Sequence, residues 1–266
     1  MGTAFLTAQK ALDNGKNVIV LDRVNPIGDR VSGPLLNINL AGHTISYFRF
    51  PLAHGLSMGE ILKFALRDNP NKSRLSIVEN KGWHRNQIWE ETGLTWTLPS
   101  PALPTYEQSY LYSVLGGMEC LNISVGRSKT NKEAFKFYGA PWITYEEANQ
   151  LVSRLNLLNL AGIEFQPIRW NVTRSTYNGT IANGFKAIIT NFKLVERYEA
   201  LYKVMQIFAQ SFGKRVEYNR WCHRYLGDEI YLNFVKDNIP YESISSQIKA
   251  DEYAFEKTIH AYRIYK

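Results

Sequence analysis

The chain has 266 residues, 45% of them hydrophobic, with 31 basic against 24 acidic side chains and a formal charge of +7. That apolar content builds a core and argues against disorder, and no apolar run approaches the roughly 20 residues that span a bilayer. The basic residues are scattered, so no nucleic-acid arm is indicated; five histidines and two cysteines, Cys120 and Cys222, without ligand spacing indicate neither a metal site nor a disulfide framework.

Thr3 to Asn14 reads as an amphipathic helix, with Phe5, Ala8 and Leu12 on one stripe and Gly15 as its stop. It feeds Val18 to Leu21, a wholly apolar run of the kind found in strands covered on both faces of a parallel sheet. Asp22, Arg23, Asn25 and Pro26 follow at once. Ligands of open α/β sheets bind beyond the carboxyl ends of the strands, so this polar edge is a candidate binding site, weighed against a plain polar turn. A helix ahead of the first strand leaves a βαβ unit without its earlier strand, which predicts material upstream.

Residues 33–55 are rich in Gly, Pro and alternating residues and read as loop with short extended pieces. Ser57 and Glu60 form a capping box, opening a helix whose buried stripe is Met58, Ile61, Leu62, Ala65 and Leu66 and which stops at Asp68-Asn69-Pro70. Leu75, Ile77 and Val78 give a further strand. TGLTWTLPSPALP, residues 92–104, is too rich in proline for a helix and predicts an ordered loop. Trp83, Trp89 and Trp96 lie near it; aromatic faces suit sugar rings, although such tryptophans more commonly cap a core.

Tyr106 to Leu115 is helical in pattern, and beyond Gly116 strands and helices no longer alternate. Thr144 and Glu147 form a second capping box, with Leu151, Val152, Leu155 and Leu158 on the buried stripe. Ile163 to Ile168 and Phe185 to Thr190 read as strands; Leu194 to Phe212, Glu229 to Lys236 and Tyr241 to Ile259 read as helices. The expected fold class is therefore α/β, a Rossmann-like parallel sheet that is incomplete at its N-terminus, followed by a smaller α+β domain. The boundary falls between Leu115 and Leu121, giving domains 1–118 and 119–266.

No GxxxxGK[ST] or post-strand GxGxxG is present, which removes the commoner NTPase and dinucleotide readings. Glu119 stands in GGMECLNISVGR, with Asn122, Ser124 and Arg127 close by. A carboxylate in such a loop serves as a general acid or base, or holds a sugar hydroxyl; the plainer reading is a surface glutamate paired with Arg127. Glu60 is explained by its capping box. His54 precedes the capped helix, whose positive end favours an anion, or it satisfies loop carbonyls. Asp22 and Asn25 rank highest on geometry.

The order VLDRVNPIG, SGPLL, HGLSMGE, GW, TGLTW, PSPALP, ECLNISVGR, GAPW, GIEFQP, GFKAIITN and a closing YRIY resembles the NamZ family of exo-β-N-acetylmuramidases across essentially the whole chain. The resemblance implies a bacterial glycoside hydrolase that releases N-acetylmuramic acid (MurNAc) from the non-reducing end of peptidoglycan fragments. It also implies a Rossmann-like catalytic domain, an auxiliary domain with the cleft between them, no metal or organic cofactor, MurNAc-containing glycans as partners, and export from the cytoplasm. By matching position, Asp22, Arg23, Asn25, His54, Glu60, Asn122 and Arg127 become substrate-binding candidates and Glu119 the catalytic one.

The match has departures. Val24 replaces a proline, Ala53 an arginine, Ala102 an asparagine, Cys120-Leu121 a Gly-Thr pair and Ser128 a glycine. The family's opening βα units, with a PEHG-like segment and the acidic residue held to be catalytic in the family, have no counterpart in the chain. Two states follow as expectations: part of an active hydrolase, or a non-catalytic muropeptide-binding remnant. A small-molecule-binding Rossmann-like protein unrelated to sugars is a third.

Overall fold

The computed structural model describes residues 1–44 and 46–266; Ile45, inside the stretch read as loop, lies outside them. The chain divides into two compact units, residues 1–94 with 247–266, and residues 95–246.

In the first unit, α1 (Gly2–Asp13) leads into β1 (Val18–Leu21), followed by the short strands β2 (Val31–Ser32) and β3 (Ala53–His54), α2 (Met58–Ala65) and β4 (Leu75–Val78). β1 and β4 are parallel, with Val18 opposite Leu75 and Leu21 opposite Val78, and α2 lies on the crossover between them. The helices form where their apolar stripes can be buried. Ala8 and Leu12 of α1 pack on Leu62 and Leu66, and Val18, Val20 and Leu75 close over them. The capping box is present: Ser57 Oγ accepts from the Glu60 amide at 3.2 Å and Glu60 Oε2 from the Ser57 amide at 2.9 Å. Phe255 and Ile259, from the end of the chain, join Phe50, Leu56 and Ile61 in a second cluster.

One expectation needs correction. β1 is covered on one face only: Val18 and Val20 point into the helical layer, whereas Ile19 and Leu21 are 67% and 74% exposed. A run without polar alternation fits a bare face as well as a covered one, because cover depends on what the rest of the fold brings to it.

The second unit runs through α3 (Tyr106–Leu115), a 3₁₀ turn at Gly116–Cys120, β5 (Phe137–Ala140), α4 (Tyr145–Asn156), β6 (Ile163–Asn171), β7 (Ile181–Ile189), α5 (Arg197–Phe212), α6 (Cys222–Leu226) and α7 (Glu229–Lys236). α8 (Ser245–Ile259) then carries the chain back into the first unit. The strands form an antiparallel sheet in the order β5-β7-β6. α4 opens on the expected Thr144 and Glu147 box, and Leu201, Val204, Met205 and Phe208 of α5 are buried. The fold is thus α/β: a parallel pair layered with helices, and an α+β unit built on an antiparallel sheet.

The cysteines give a second correction. Cys120 and Cys222 form a disulfide, Cα to Cα 5.1 Å, and both are fully buried. They lie 102 residues apart, a spacing that carries no signal, because only the packing of α6 on the Gly116–Cys120 turn brings them together. In a chain-entropy picture, a bridge closing a loop of that order stabilises the fold by roughly 4 to 5 kcal/mol.

Candidate functional site

The strand-end residues of β1 feed a buried polar network. Asp22 Oδ1 accepts from the Gly59 amide at 2.8 Å, and Oδ2 accepts from Ser57 Oγ at 2.6 Å and the Tyr265 hydroxyl at 2.7 Å. The carboxylate therefore sits on the positive end of α2, where free amides and the helix dipole favour negative charge. Burial, with the Asp22 charge adding to it, pushes the Tyr265 phenol up to about 12, so the hydroxyl stays a donor.

Glu60 is more enclosed still. Its side chain is 0% exposed and that of its partner Arg85 is 6%; Arg85 Nη1 donates to Glu60 Oε1 at 2.5 Å. The same oxygen accepts from the Ile264 amide at 2.7 Å, and Arg85 Nη2 donates to the Gly55 carbonyl. Trp83 stacks edge-on against Tyr265 with ring centroids 4.6 Å apart. Both oxygens of Asp22 and of Glu60 are occupied by internal donors.

The remaining candidates of this unit differ in what they leave open. Asn25 closes an Asx turn, donating to the Gly28 carbonyl at 2.8 Å and accepting from the Ile27 amide at 3.3 Å. Arg23 is exposed and has no internal partner among the described residues. His54 is half-buried; Nδ1 accepts from the Leu56 amide at 3.1 Å, which places the ring proton on Nε2 when the imidazole is neutral. Burial holds its pKa down, to about 4. A groove of about 850 Å³ beside α2 is walled by Lys63, Arg67, Lys72 and Arg263, and none of the expected site residues lines it.

In the second unit the structure brings Glu119 and Arg127 together, with Arg127 Nη2 donating to Glu119 Oε2 at 2.8 Å. The other oxygen, Oε1, accepts from the Tyr225 hydroxyl at 2.5 Å. Unlike the Glu60 pair this one reaches solvent, with side chains 24% and 44% exposed for Glu119 and Arg127. The glycines before Glu119 have a visible purpose. A Cβ on Gly117 would lie 2.9 Å from a Leu201 methyl and 3.1 Å from the Tyr225 Cβ, so glycine lets the turn approach both without displacing either. Gly126, at φ +72°, lets the backbone turn before Arg127; a Cβ there would meet the Glu133 carbonyl oxygen at 2.1 Å.

Around the carboxylate stand tyrosines. Burial and then the hydrogen bond and charge of Glu119 push the Tyr225 phenol far above its ordinary range, and burial followed by the Glu119 charge raises Tyr112. Tyr112 packs edge-on against Phe135, whose ring lies 5.3 Å below the Arg127 guanidinium. Asn122 faces elsewhere: its amide pairs with the Arg215 carbonyl at 3.0 Å and the Glu217 amide at 2.9 Å, stapling two loops.

Sequence reasoning missed Arg85, Tyr265 and Tyr225. Tyr265 had a signal in the closing YRIY motif, whose backbone and hydroxyl bind Glu60 and Asp22. Arg85 and Tyr225 had none, because each finds its partner through the fold. Among the described residues no three His, Cys, Asp or Glu side chains group so as to hold a metal ion.

The model of the N-terminal domain of exo-β-N-acetylmuramidase NamZ matches residues 1–107, and that of its C-terminal domain matches residues 110–265. The chain is 28% identical to the peptidoglycan β-N-acetylmuramidase NamZ of Bacillus subtilis (strain 168), aligning over its whole length with 65% of that protein. A crystal structure of a DUF1343 family protein from Bacteroides fragilis NCTC 9343 superposes with a TM-score of 0.86 at 27% identity, covering all of this chain and 70% of that one. A second DUF1343 protein from the same organism, at 17% identity and a TM-score of 0.71, shares the fold over 99% of this chain and 71% of its own.

Proposed function

The chain belongs to the NamZ family, and from that premise we propose that it is a glycoside hydrolase releasing MurNAc from the non-reducing end of peptidoglycan fragments. It spans 65% of the peptidoglycan β-N-acetylmuramidase of Bacillus subtilis that it matches. The observation that carries the reading is the solvent-reaching Glu119 carboxylate, held at both oxygens in the ECLNISVGR stretch that resembles the family.

Glycoside hydrolysis needs negative charge beside an oxocarbenium-like anomeric carbon, and a second group that the enzyme or the substrate's own 2-acetamido group supplies. Glu119, accepting from Tyr225 and Arg127, fits the first role as a base or a stabilising charge. Arg127 retains exposed guanidinium for a sugar hydroxyl or the lactyl carboxylate of MurNAc. Within the first unit, Arg23 and the Nε2–H of His54 keep donors without an internal partner among the described residues. Asp22, Asn25, Glu60 and Asn122, consumed by internal partners, shape the loops that carry the others. The buried disulfide suits an oxidising compartment, in line with export.

The test is release of free MurNAc from a MurNAc-GlcNAc disaccharide by the 266-residue chain, with Glu119→Gln alongside. Release by the wild type and its loss in the variant supports the reading. A folded protein that binds the disaccharide without cleaving it replaces the reading with that of a muropeptide-binding remnant.

A further inference from the structure

We infer that the Cys120–Cys222 disulfide and the Tyr225 hydroxyl form one positioning device for the Glu119 carboxylate, so that the site is set only in the oxidised protein. This rests on the reading of Glu119 given above. Glu119 immediately precedes Cys120, and Tyr225 follows Cys222 by three residues, one turn along α6. Residues at that spacing share a helix face, so the bridge ties the backbone carrying the carboxylate to the side of α6 that carries its donor.

α6 is a short element whose Cys222 and Leu226 are buried. It is five residues long and has no side-chain N-cap at Trp221. A helix that short does not persist by its own hydrogen bonds. Among its anchors are the disulfide, the Cys222 amide on the Asn219 carbonyl at 3.2 Å, and the Tyr198 hydroxyl on the Leu226 carbonyl at 2.8 Å. Next to the bridge, the Asn219 amide donates to the Cys120 carbonyl at 2.8 Å, so the segment entering α6 is laced to the Glu119 turn.

The two donors on Glu119 are not equivalent. Arg127 is 44% exposed, on a long flexible stem open to competition from water. Tyr225 is half-buried on a rigid ring, and its phenol, raised by burial, keeps its proton. Tyr225 is therefore the donor that defines where Oε1 sits, and the disulfide defines where Tyr225 sits. Reduction by a dithiol would convert the bridge to two thiols, with the dithiol leaving as its own cyclic disulfide. Two unbonded sulfurs need more room than a bonded pair, so α6 would shift away from the turn and lengthen the hydroxyl–carboxylate contact.

The experiment follows the Tyr225 hydroxyl proton by NMR in the full chain, where a short bond to a carboxylate gives a downfield, slowly exchanging resonance. Turnover of the MurNAc-GlcNAc disaccharide is measured on the same samples. The resonance is expected in the wild type, and its absence from Tyr225→Phe assigns it. It is expected to vanish in the Cys120→Ala/Cys222→Ala protein, once a cooperative melt shows that protein folded. In Tyr225→Phe, which keeps the bridge, kcat should fall about tenfold with KM unchanged.

A resonance that persists in the folded double-alanine protein overturns the role of the disulfide. Absence of the resonance from the wild type, or unchanged kcat in Tyr225→Phe, overturns that of Tyr225. If the double-alanine protein does not fold, wild type reduced with dithiothreitol, its two thiols counted by titration, takes its place. A wild type that shows the resonance but releases no MurNAc overturns the hydrolase reading and leaves the positioning device standing.

Discussion

Two glutamate–arginine pairs in this protein have the same chemistry and opposite surroundings. Glu60 and Arg85 are shut away from water, and every oxygen of the glutamate is matched by a donor from α2 or from the chain's end. Glu119 and Arg127 are joined at 2.8 Å, yet both reach solvent. A buried pair is kept by the penalty of breaking it, since a lone charge left inside has nothing to replace its partner. An exposed pair has little such penalty, so its members can exchange partners with a ligand. The first ties the strand-end loops together, and the second is the pair proposed for chemistry.

The comparison breaks first, and hardest, at the buried pair. Arg85→Met removes the counter-ion of the buried Glu60 carboxyl and should cost about 3 to 5 kcal/mol. Urea unfolding followed by far-ultraviolet circular dichroism would read it. A loss below about 1 kcal/mol would show that the pair does not tie the loops as described. Next, Glu119→Gln should lower MurNAc release at least about 100-fold, equivalent to nearly 3 kcal/mol of barrier, while leaving the melt nearly unchanged. An active variant would sever the proposed link between the exposed pair and catalysis.

His54 sharpens the comparison through pH. Its folded pKa lies near 4, against 6.5 for an unperturbed ring, so between these values the unfolded chain holds a proton that the folded chain refuses. Stability from this group is complete above about 6.5, is lost as pH falls towards 4, and changes no further below that. For a half-buried ring the loss should be about 2 kcal/mol. His54→Asn, whose amide oxygen can take over from Nδ1, should flatten urea midpoints measured between about pH 7 and 4. An unaltered slope would place the acid sensitivity elsewhere.

The parts of this molecule that sequence made legible are those decided within one turn of chain. Both capping boxes, the limits of α3 and α7, and the strands β1 and β4 follow from spacings of three or four residues and from short apolar runs. What escaped is decided by topology. Asp22 and Tyr265 meet across 243 residues, and Glu119 and Tyr225 across 106. The disulfide belongs to the same class, as does the return of residues 247–266 to the first unit. Motif order still pointed at the two neighbourhoods, because VLDRVNP, HGLSMGE and YRIY each contribute to one network. It did not distinguish residues that build that network from residues left free to act, since a saturated and an open carboxylate are the same letter.

The smallest effect is the most discriminating. Arg127→Gln removes one donor from Glu119 at a place water can reach, so its stability cost should lie between 0 and about 1 kcal/mol, shrinking further in high salt. Tyr225 still holds Oε1 in that variant, and the introduced amide is shorter than the guanidinium it replaces. If Arg127 also grips the substrate, KM for the disaccharide should rise while the melt stays in place, a separation that the buried pair cannot show because its loss unfolds the scaffold. A fall in stability matching that of Arg85→Met would mean that the two pairs differ only in appearance, and that exposure at Glu119 is not what sets it apart.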